Sequence, residues 1–369
     1  MTVAALPALT LREVRVTAVE VPLRYVLGTS AAALRHAPLL LVDVQTEEGI
    51  AGCSYVFCYR RSGARAIAAV LPEAFELVVG QPVAPLEIAA LFDRRFALIG
   101  VTGVVRMALS ALDMALWDAL AIAAGVPLAT LLGSAPRPLR AYNSCGLGLM
   151  SPGAAADEAE RLLEGGFQAM KLRLGHASLF EDLAATRGVR KRLPDSVLLM
   201  ADYNQALSVA QALERGRALQ SEGVTWLEEP IRHDDYAGNA TLTRELATPI
   251  QIGENFDGPY AMADAIAARA CDYAMPDFAR IGGVSGWLEA AALAQAAGIE
   301  LSSHLYPEFS AHLLAATPTC HWLEYVDWAS PILQRPIEIR DGQAVIPSRP
   351  GAGIQWNEDA VNRYRATLK

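Results

Sequence analysis

The feature that most constrains this chain is a series of short apolar segments, each closed by an ionisable residue. The segments GFQAMKLRLG, SVLLMADYNQ, VTWLEEP, PIQIGEN, CDYAMPDF, GIELSSHL and HWLEYVD carry Lys171, Asp202, Glu228, Glu254, Asp277, His304 and Glu324, at intervals of 20 to 31 residues. RAYNSCG precedes them, and alanine-rich stretches such as VAQALERGRALQSEG and VSGWLEAAALAQAAG lie between. Strands alternating with helices at the length of one β-α unit predict a parallel sheet, and about eight units predict a barrel. Strand C-termini of a barrel converge on one mouth, so the spacing alone gathers seven ionisable groups around one cavity.

Ahead of the barrel the rhythm differs. REVRVTAVEVPL nearly alternates, and PLLLVDVQTEEGIAGCSYVF reads as two strands about a Glu-Glu-Gly turn. Val104 to Ala124 is a long apolar helix ended by Gly125 and Pro127. The expected organisation is an α+β unit over residues 1–135, a barrel over 136–335, and a segment over 336–369. In that segment the hairpin-like RPIEIRDGQAVIP returns to the first unit. With 53% hydrophobic residues, 369 residues can bury an ample core. A net charge of -9 argues against nucleic acid or an anionic membrane surface as the main partner. No apolar run reaches a membrane-spanning length, and MTVAALPALTLREV lacks a basic leader. Cys53, Cys58, Cys145, Cys271 and Cys320 are scattered without a CxxC pair, as expected of reduced thiols in a cytoplasmic protein.

Asp202, Glu228 and Glu254 come from three consecutive strands. Unpaired carboxylates facing one another repel, and a hard divalent cation resolves the repulsion; an all-oxygen donor set suits Mg²⁺. Structural pairing with arginines is the competing account. Asp277 and His304 follow on the next two strands, where a carboxylate can fix one imidazole tautomer and raise its basicity. His312 and His321 read as satisfied core or helix-surface histidines. HDDY at 233–236 reads as a helix cap, and RIGGVSG as a βα loop without a P-loop lysine. Opposite the dyad stand Lys171 and Arg173. A substrate carboxylate bound at the cation would place its α-carbon between the two sides. Removing the α-proton gives an enediolate, whose charge the metal and Lys171 can stabilise.

These residues carry a resemblance. The chain resembles the mandelate racemase subgroup of the enolase superfamily over almost its whole length. The likeness runs through VPLRY, GTS, APLLLVDV, GCSYVFCY and ALDMALWDAL, then DYNQ, VTWLEEP, GEN, MPDFARIGGVSGW, SSHL and SAHLLAATPT. It implies an α/β fold: a modified TIM barrel, (β/α)₇β, under an α+β N-terminal capping domain. It implies Mg²⁺ on Asp202, Glu228 and Glu254, and an acid/base dyad of Asp277 and His304. Lys171 would contact the substrate carboxylate, and Glu324 would hydrogen-bond its far oxygen as an acid. Ser144 and Asn204 would contact substrate oxygens. The loop RYVLGTS would close over the site with Tyr25, Val26 and Leu27 as an apolar wall. A small carboxylate is the expected partner, and a homo-oligomer, up to an octamer, the expected assembly.

The departure is Arg173, where the family's Lys-x-Lys motif has a second, basic lysine. A guanidinium pKa above about 12 makes the free base cost roughly 7 kcal/mol at neutral pH, whereas burial and a neighbouring cation bring lysine down far more readily. Compositional drift is the bland account, since the chain has three lysines (Lys171, Lys191, Lys369), yet the drift spared Lys171. The main expectation is Mg²⁺-dependent abstraction of the α-proton of a 2-hydroxycarboxylate by a racemase or epimerase. The alternative is an acid-sugar dehydratase with His304 as its single acid/base. A metal-binding remnant without activity, and a metal-dependent aldolase or hydrolase, fit the intact dyad and the Lys-x-Arg strand less well.

Overall fold

The computed structural model describes residues 8–30 and 32–368. The cap opens with a meander of β1 (Leu11–Gly28), β2 (Ala33–Thr46) and β3 (Ala51–Phe57), antiparallel in the order β1-β2-β3. The turn between β2 and β3 is the expected Glu-Glu-Gly corner, with Gly49 at φ +81°. Helices α1 (Arg61–Glu76), α2 (Pro85–Arg95), α3 (Gly103–Ala123) and α4 (Leu128–Leu131) complete the cap. Helix α3 is apolar almost all round and buried from Val105 to Ala121 along most of its length, as a helix between two layers must be. Strand β3 lies so close to it that a Cβ on Gly52 would sit 2.0 Å from the Ala115 carbonyl oxygen, so only glycine fits there.

The barrel strands are β4 (Leu139–Asn143), β5 (Ala169–Arg173), β6 (Leu198–Asp202), β7 (Val224–Glu228), β8 (Ile250–Ile252), β9 (Tyr273–Ala274), β10 (Glu300–Leu301) and β11 (Leu323–Tyr325). Adjacent strands from β4 to β10 pair in parallel, and β11 pairs with β4. A parallel bridge from Leu301 to Cys320 joins the β10 end to the approach of β11. The intervening helices are α5 (Pro152–Arg161), α6 (Leu179–Arg190), α7 (Val209–Leu219), α8 (Tyr236–Glu245), α9 (Pro259–Ala267), α10 (Phe278–Ile281), α11 (Gly283–Ala297) and α12 (Pro307–Ala316). This is the expected (β/α)₇β barrel under an α+β cap. Helix starts carry their own signals: Ser178 and Ser208 head capping boxes with Glu181 and Gln211, and Asp235 of HDDY caps α8.

Inside the barrel the strand alternation sorts side chains into layers. Tyr142, Ala169, Met200, Trp226 and Trp322 pack together as an apolar floor. One step further along the same strands, on the same face, come Ser144, Lys171, Asp202, Glu228 and Glu324. Met170, Leu172, Leu199 and Leu227 point the other way, into the main core beneath the helices.

The C-terminal region divides in two. The hairpin of β12 (Glu338–Arg340) and β13 (Gln343–Val345) pairs antiparallel with β4, so it extends the barrel sheet rather than the cap. Residues beyond it return to the cap. Ala352 N donates to Asp118 at 2.6 Å, Trp356 Nε1 donates to Asp43 at 2.7 Å, and α13 (Glu358–Tyr364) leads to a bridge between Arg365 and Val19. Among the described residues no helix is long and apolar enough to cross a membrane.

Candidate active site

The mouth of the barrel and the cap enclose a cavity of about 230 Å³. Its polar side is formed by Lys171, Arg173, Asp202, Asn204, Glu254, Arg280, His304 and Glu324. Its apolar side is Leu27, Leu34, Phe57, Leu305 and Trp328, contributed mostly by the cap.

One ligand oxygen each from Asp202, Glu228 and Glu254 lies within 4.8 Å of the others. Asp202 and Glu228 end β6 and β7. Glu254 follows β8 by way of Gly253 at φ +138°, where a Cβ would meet Phe256 and the Met275 amide. Burial pushes the Glu228 carboxyl up to about 8; Lys171 opposes the rise, and Asp202, Glu324 and Glu254 reinforce it. Burial likewise raises Asp202. For Glu254 burial acts upward too, but His304, Lys171 and Arg280 outweigh it and hold the carboxyl low. Three converging carboxylates, two of them reluctant to ionise, make an oxygen-donor set that fits a small divalent cation. Asn204 orients the first of them, its backbone N–H and side-chain amide donating to the two Asp202 oxygens at 2.8 and 3.0 Å. Trp226 and Gln251 each donate to Glu228 Oε2 at 3.3 Å.

Lys171 Nζ lies 2.5 Å from Glu228, 2.7 Å from Glu324 and 3.4 Å from Asp202. Burial by itself would deprotonate it, yet the surrounding carboxylates raise it well above the ordinary lysine value, so it is an ammonium. Glu324 is held at about 2: burial acts upward, but Lys171, His304 and the Leu305 N–H prevail. His304 Nδ1 is 2.6 Å from Asp277 Oδ2, and Nε2 faces Glu254 at 3.2 Å. The Asp277 carboxylate therefore fixes Nδ1–H and aims Nε2 at the cavity. Burial would lower the imidazole, but Glu254 and Glu324 lift it well above its usual value. Asp277 itself is fixed by accepting the Ala279 N–H at 2.7 Å at the start of α10.

The remaining expected residues divide. Leu27 reaches the cavity, while Tyr25 lines a separate outer groove with Cys145 and Asp327, and Val26 lines neither. The cause is an irregularity in the β1–β2 register between Pro22 and Leu27, which breaks the alternation where a free loop was expected. That segment is strand up to Gly28, followed by a turn whose Ser30 hydroxyl donates to the Asn204 carbonyl at 3.3 Å. Ser144 is fully buried behind the wall, donating to Glu324 at 2.7 Å rather than opening to the cavity. Arg173 Nη1 donates to the Gly146 carbonyl at 2.6 Å and to that of Ser144 at 3.3 Å, and no carboxylate lies within ion-pair distance of it among the described residues. It clamps the loop after β4.

Several wall residues carried no signal the sequence reading used. Arg280, inside the glycine-rich RIGGVSG, donates to the Glu254 carbonyl at 2.8 Å and lies over the Tyr59 ring at 4.9 Å. Asn255 donates to Glu229, the second acid of LEEP, at 2.7 Å. Phe57, Tyr59 and Trp328 come to the mouth only because the cap docks there; the aromatic run in GCSYVFCY was the available clue.

Comparison with known proteins agrees with this fold. Residues 11–133 match the mandelate racemase/muconate lactonizing enzyme N-terminal domain, and 154–360 match the enolase C-terminal domain-like family. L-talarate/galactarate dehydratase of Salmonella typhimurium is 31% identical over 89% of this chain and 82% of its own. A crystal structure of an enolase from an alpha proteobacterium (BAL199) with bound magnesium superposes with a TM-score of 0.95. It is 42% identical and covers 97% of this chain and 100% of that one. An enolase from Bradyrhizobium, complexed with magnesium and mandelic acid, superposes at 0.93 with 38% identity, over 98% and 99% of the two chains.

Proposed function

Because the chain belongs to the mandelate racemase/muconate lactonizing enzyme family of the enolase superfamily, we propose that it removes the α-proton of a small 2-hydroxycarboxylate to give an enediolate. The observation that carries this is the His304–Asp277 pair set beside the three-carboxylate cluster at one cavity, with His304 Nε2 3.2 Å from Glu254. Asp202, Glu228 and Glu254 would hold Mg²⁺, which supplies a Lewis acid for the substrate carboxylate. Lys171 sets a fixed positive charge beside that carboxylate. Glu324 would face its far oxygen, but paired with Lys171 at 2.7 Å it is held as a carboxylate and needs a proton before it can donate there as an acid. His304, once neutral, takes the α-proton at Nε2, and Asp277 steadies the imidazolium that forms. The apolar cap side excludes water from the carbanion.

The side opposite His304 favours one-base chemistry. Arg173 is a guanidinium committed to two carbonyls, poorly suited to accept a proton. The same His304 can then return its proton to a departing β-hydroxyl, so the preferred outcome is dehydration of a β-hydroxylated acid. A dehydratase among the relatives agrees. Racemisation is the second reading, favoured by the wall of Leu27, Leu34, Phe57 and Trp328 and by the neighbour from Bradyrhizobium that is complexed with mandelic acid. Incubation with Mg²⁺ in D₂O decides. One-base dehydration predicts a 2-keto product and deuterium delivered from one face. Equal exchange into both enantiomers of an arylglycolate would establish the racemase instead. No exchange into any 2-hydroxy acid would end both. The same reading includes a cytoplasmic setting, in keeping with five free cysteines, and a homo-oligomeric assembly.

A further inference from the structure

His304 is held differently on its two sides. Upstream, the barrel fixes it: Ser302 N donates to the Ala274 carbonyl at 2.8 Å and Ser303 N to that of Trp322 at 3.0 Å. Downstream, two bulky residues in succession adopt left-handed backbone, Leu305 at φ 53° and Tyr306 at φ 47°. Branched and aromatic side chains rarely adopt this conformation, and it persists only where surroundings enforce it. The only other adjacent non-glycine pair among the described residues is Asn204–Gln205, which also borders the cavity.

Besides the Phe309 and Ser310 N–H groups, which donate to the Tyr306 carbonyl at 3.0 and 2.8 Å, three hydrogen bonds with side chains hold the step. The Leu305 N–H donates to Glu324 Oε2 at 2.8 Å, and Ser310 Oγ donates to the Leu305 carbonyl at 2.7 Å. Both lie within the barrel. The third comes from the cap: the backbone N–H of Phe57, last residue of β3, donates to the Tyr306 hydroxyl at 3.1 Å. The Tyr306 ring is buried against Tyr55 and Phe278, at 5.2 and 6.2 Å between centroids. The next amide along, Cys58 N, donates to the Pro38 carbonyl of β2 at 2.9 Å, so by strand alternation the Phe57 N–H faces away from the sheet ladder. The same strand end places Phe57 and Tyr59 in the cavity wall.

We propose that Tyr306 is a positioning residue: its hydroxyl ties the left-handed step after His304 to strand β3, so that seating of the cap sets the aim of the base. The proposal rests on the assignment of His304 as the base made above. Tyr306→Phe keeps the ring and deletes the tie. Expected in Tyr306→Phe is a fall of about tenfold in kcat for α-deuterium exchange of galactarate, or of mandelate where the wild type takes that acid instead, because small misplacements of a reacting group are costly. KM and Mg²⁺ affinity should stay within twofold, and amide exchange at Phe57, Leu305, Tyr306 and Glu308 should accelerate. Tyr55→Phe is the control. It deletes a hydroxyl contact across the same seam, to Glu308 at 2.6 Å, without touching the step. It should lower the melting temperature comparably yet keep kcat within twofold. Equal loss in both variants, or full activity with protected amides in Tyr306→Phe, overturns the proposal. If the wild type exchanges no 2-hydroxy acid, the assigned reaction fails. The amide comparison then decides the tie alone, unchanged protection at Phe57, Leu305, Tyr306 and Glu308 overturning it.

Discussion

At the scale of single residues the site rests on which groups can carry a proton. His304→Asn keeps the shape but removes the base. Proton exchange on its face should fall by about 10² to 10⁴-fold, while calorimetric Mg²⁺ binding persists; retained exchange would transfer the role to another group. Arg173→Lys should introduce exchange on the opposite face, measurable as deuterium entering the second enantiomer, since a lysine beside Lys171 can shed its proton where a guanidinium cannot. No second-face exchange would assign the position to loop clamping alone. The convergence of Asp202, Glu228 and Glu254 and the pairing of Asp277 with His304 were legible because each residue is tied to a strand end, and strand ends recur at regular spacing. The partners of Arg173 were not legible, because carbonyls at Ser144 and Gly146 belong to a loop whose path no side-chain pattern encodes. Ser144, expected to contact substrate oxygens, is buried against Glu324, since burial of a strand-end hydroxyl depends on what stacks above it.

At the scale of elements, periodicity and caps told most of the story, and irregularities told the rest. The eight barrel strands and long α3 follow from apolar runs with their stop signals. The strand running through Tyr25 and Val26 was missed because a register break hides the alternation that announces a strand. Helix α12 shows how a histidine inside an element becomes structural. His312 Nδ1 accepts the Ala129 N–H at 3.2 Å and Nε2 meets the Ala352 carbonyl at 3.3 Å, a pairing that only the neutral ring satisfies. Burial accordingly pushes it down to about 4. Between that value and the unfolded value near 6.5 the unfolded chain binds more protons, so this term makes stability rise with pH and is lost on acidification. It amounts to about 3 kcal/mol across the window. Urea unfolding of wild type and His312→Asn at pH 7 and pH 4 should show the variant's curve flatter by that amount; parallel curves would contradict the assignment.

At the scale of the whole molecule, the metal-free site works against the fold. Glu228, pushed up to about 8, resists ionising, so the native state loses stability as pH rises through the range where the unfolded carboxylate is already charged. Mg²⁺ should therefore raise the melting temperature of the wild type, by about 2.7 kcal/mol of stability at a hundredfold excess over its dissociation constant. Glu228→Gln should melt higher than the wild type in chelator and gain nothing from the ion; a gain equal to the wild type's would remove Glu228 from the ligand set. The cap's placement was the least legible part, since Tyr59, Trp328 and Arg280 meet only through docking of distant segments. That docking depends on residues 351–366, which bind Asp118, Asp43 and Ala18 of the cap. During synthesis those partners emerge from the ribosome well before residues 351–366 and must wait for the whole barrel to follow. The lid of the reaction chamber is thus fastened by a segment made long after the parts it holds, and a nascent chain that has not reached that segment builds its barrel without closing it.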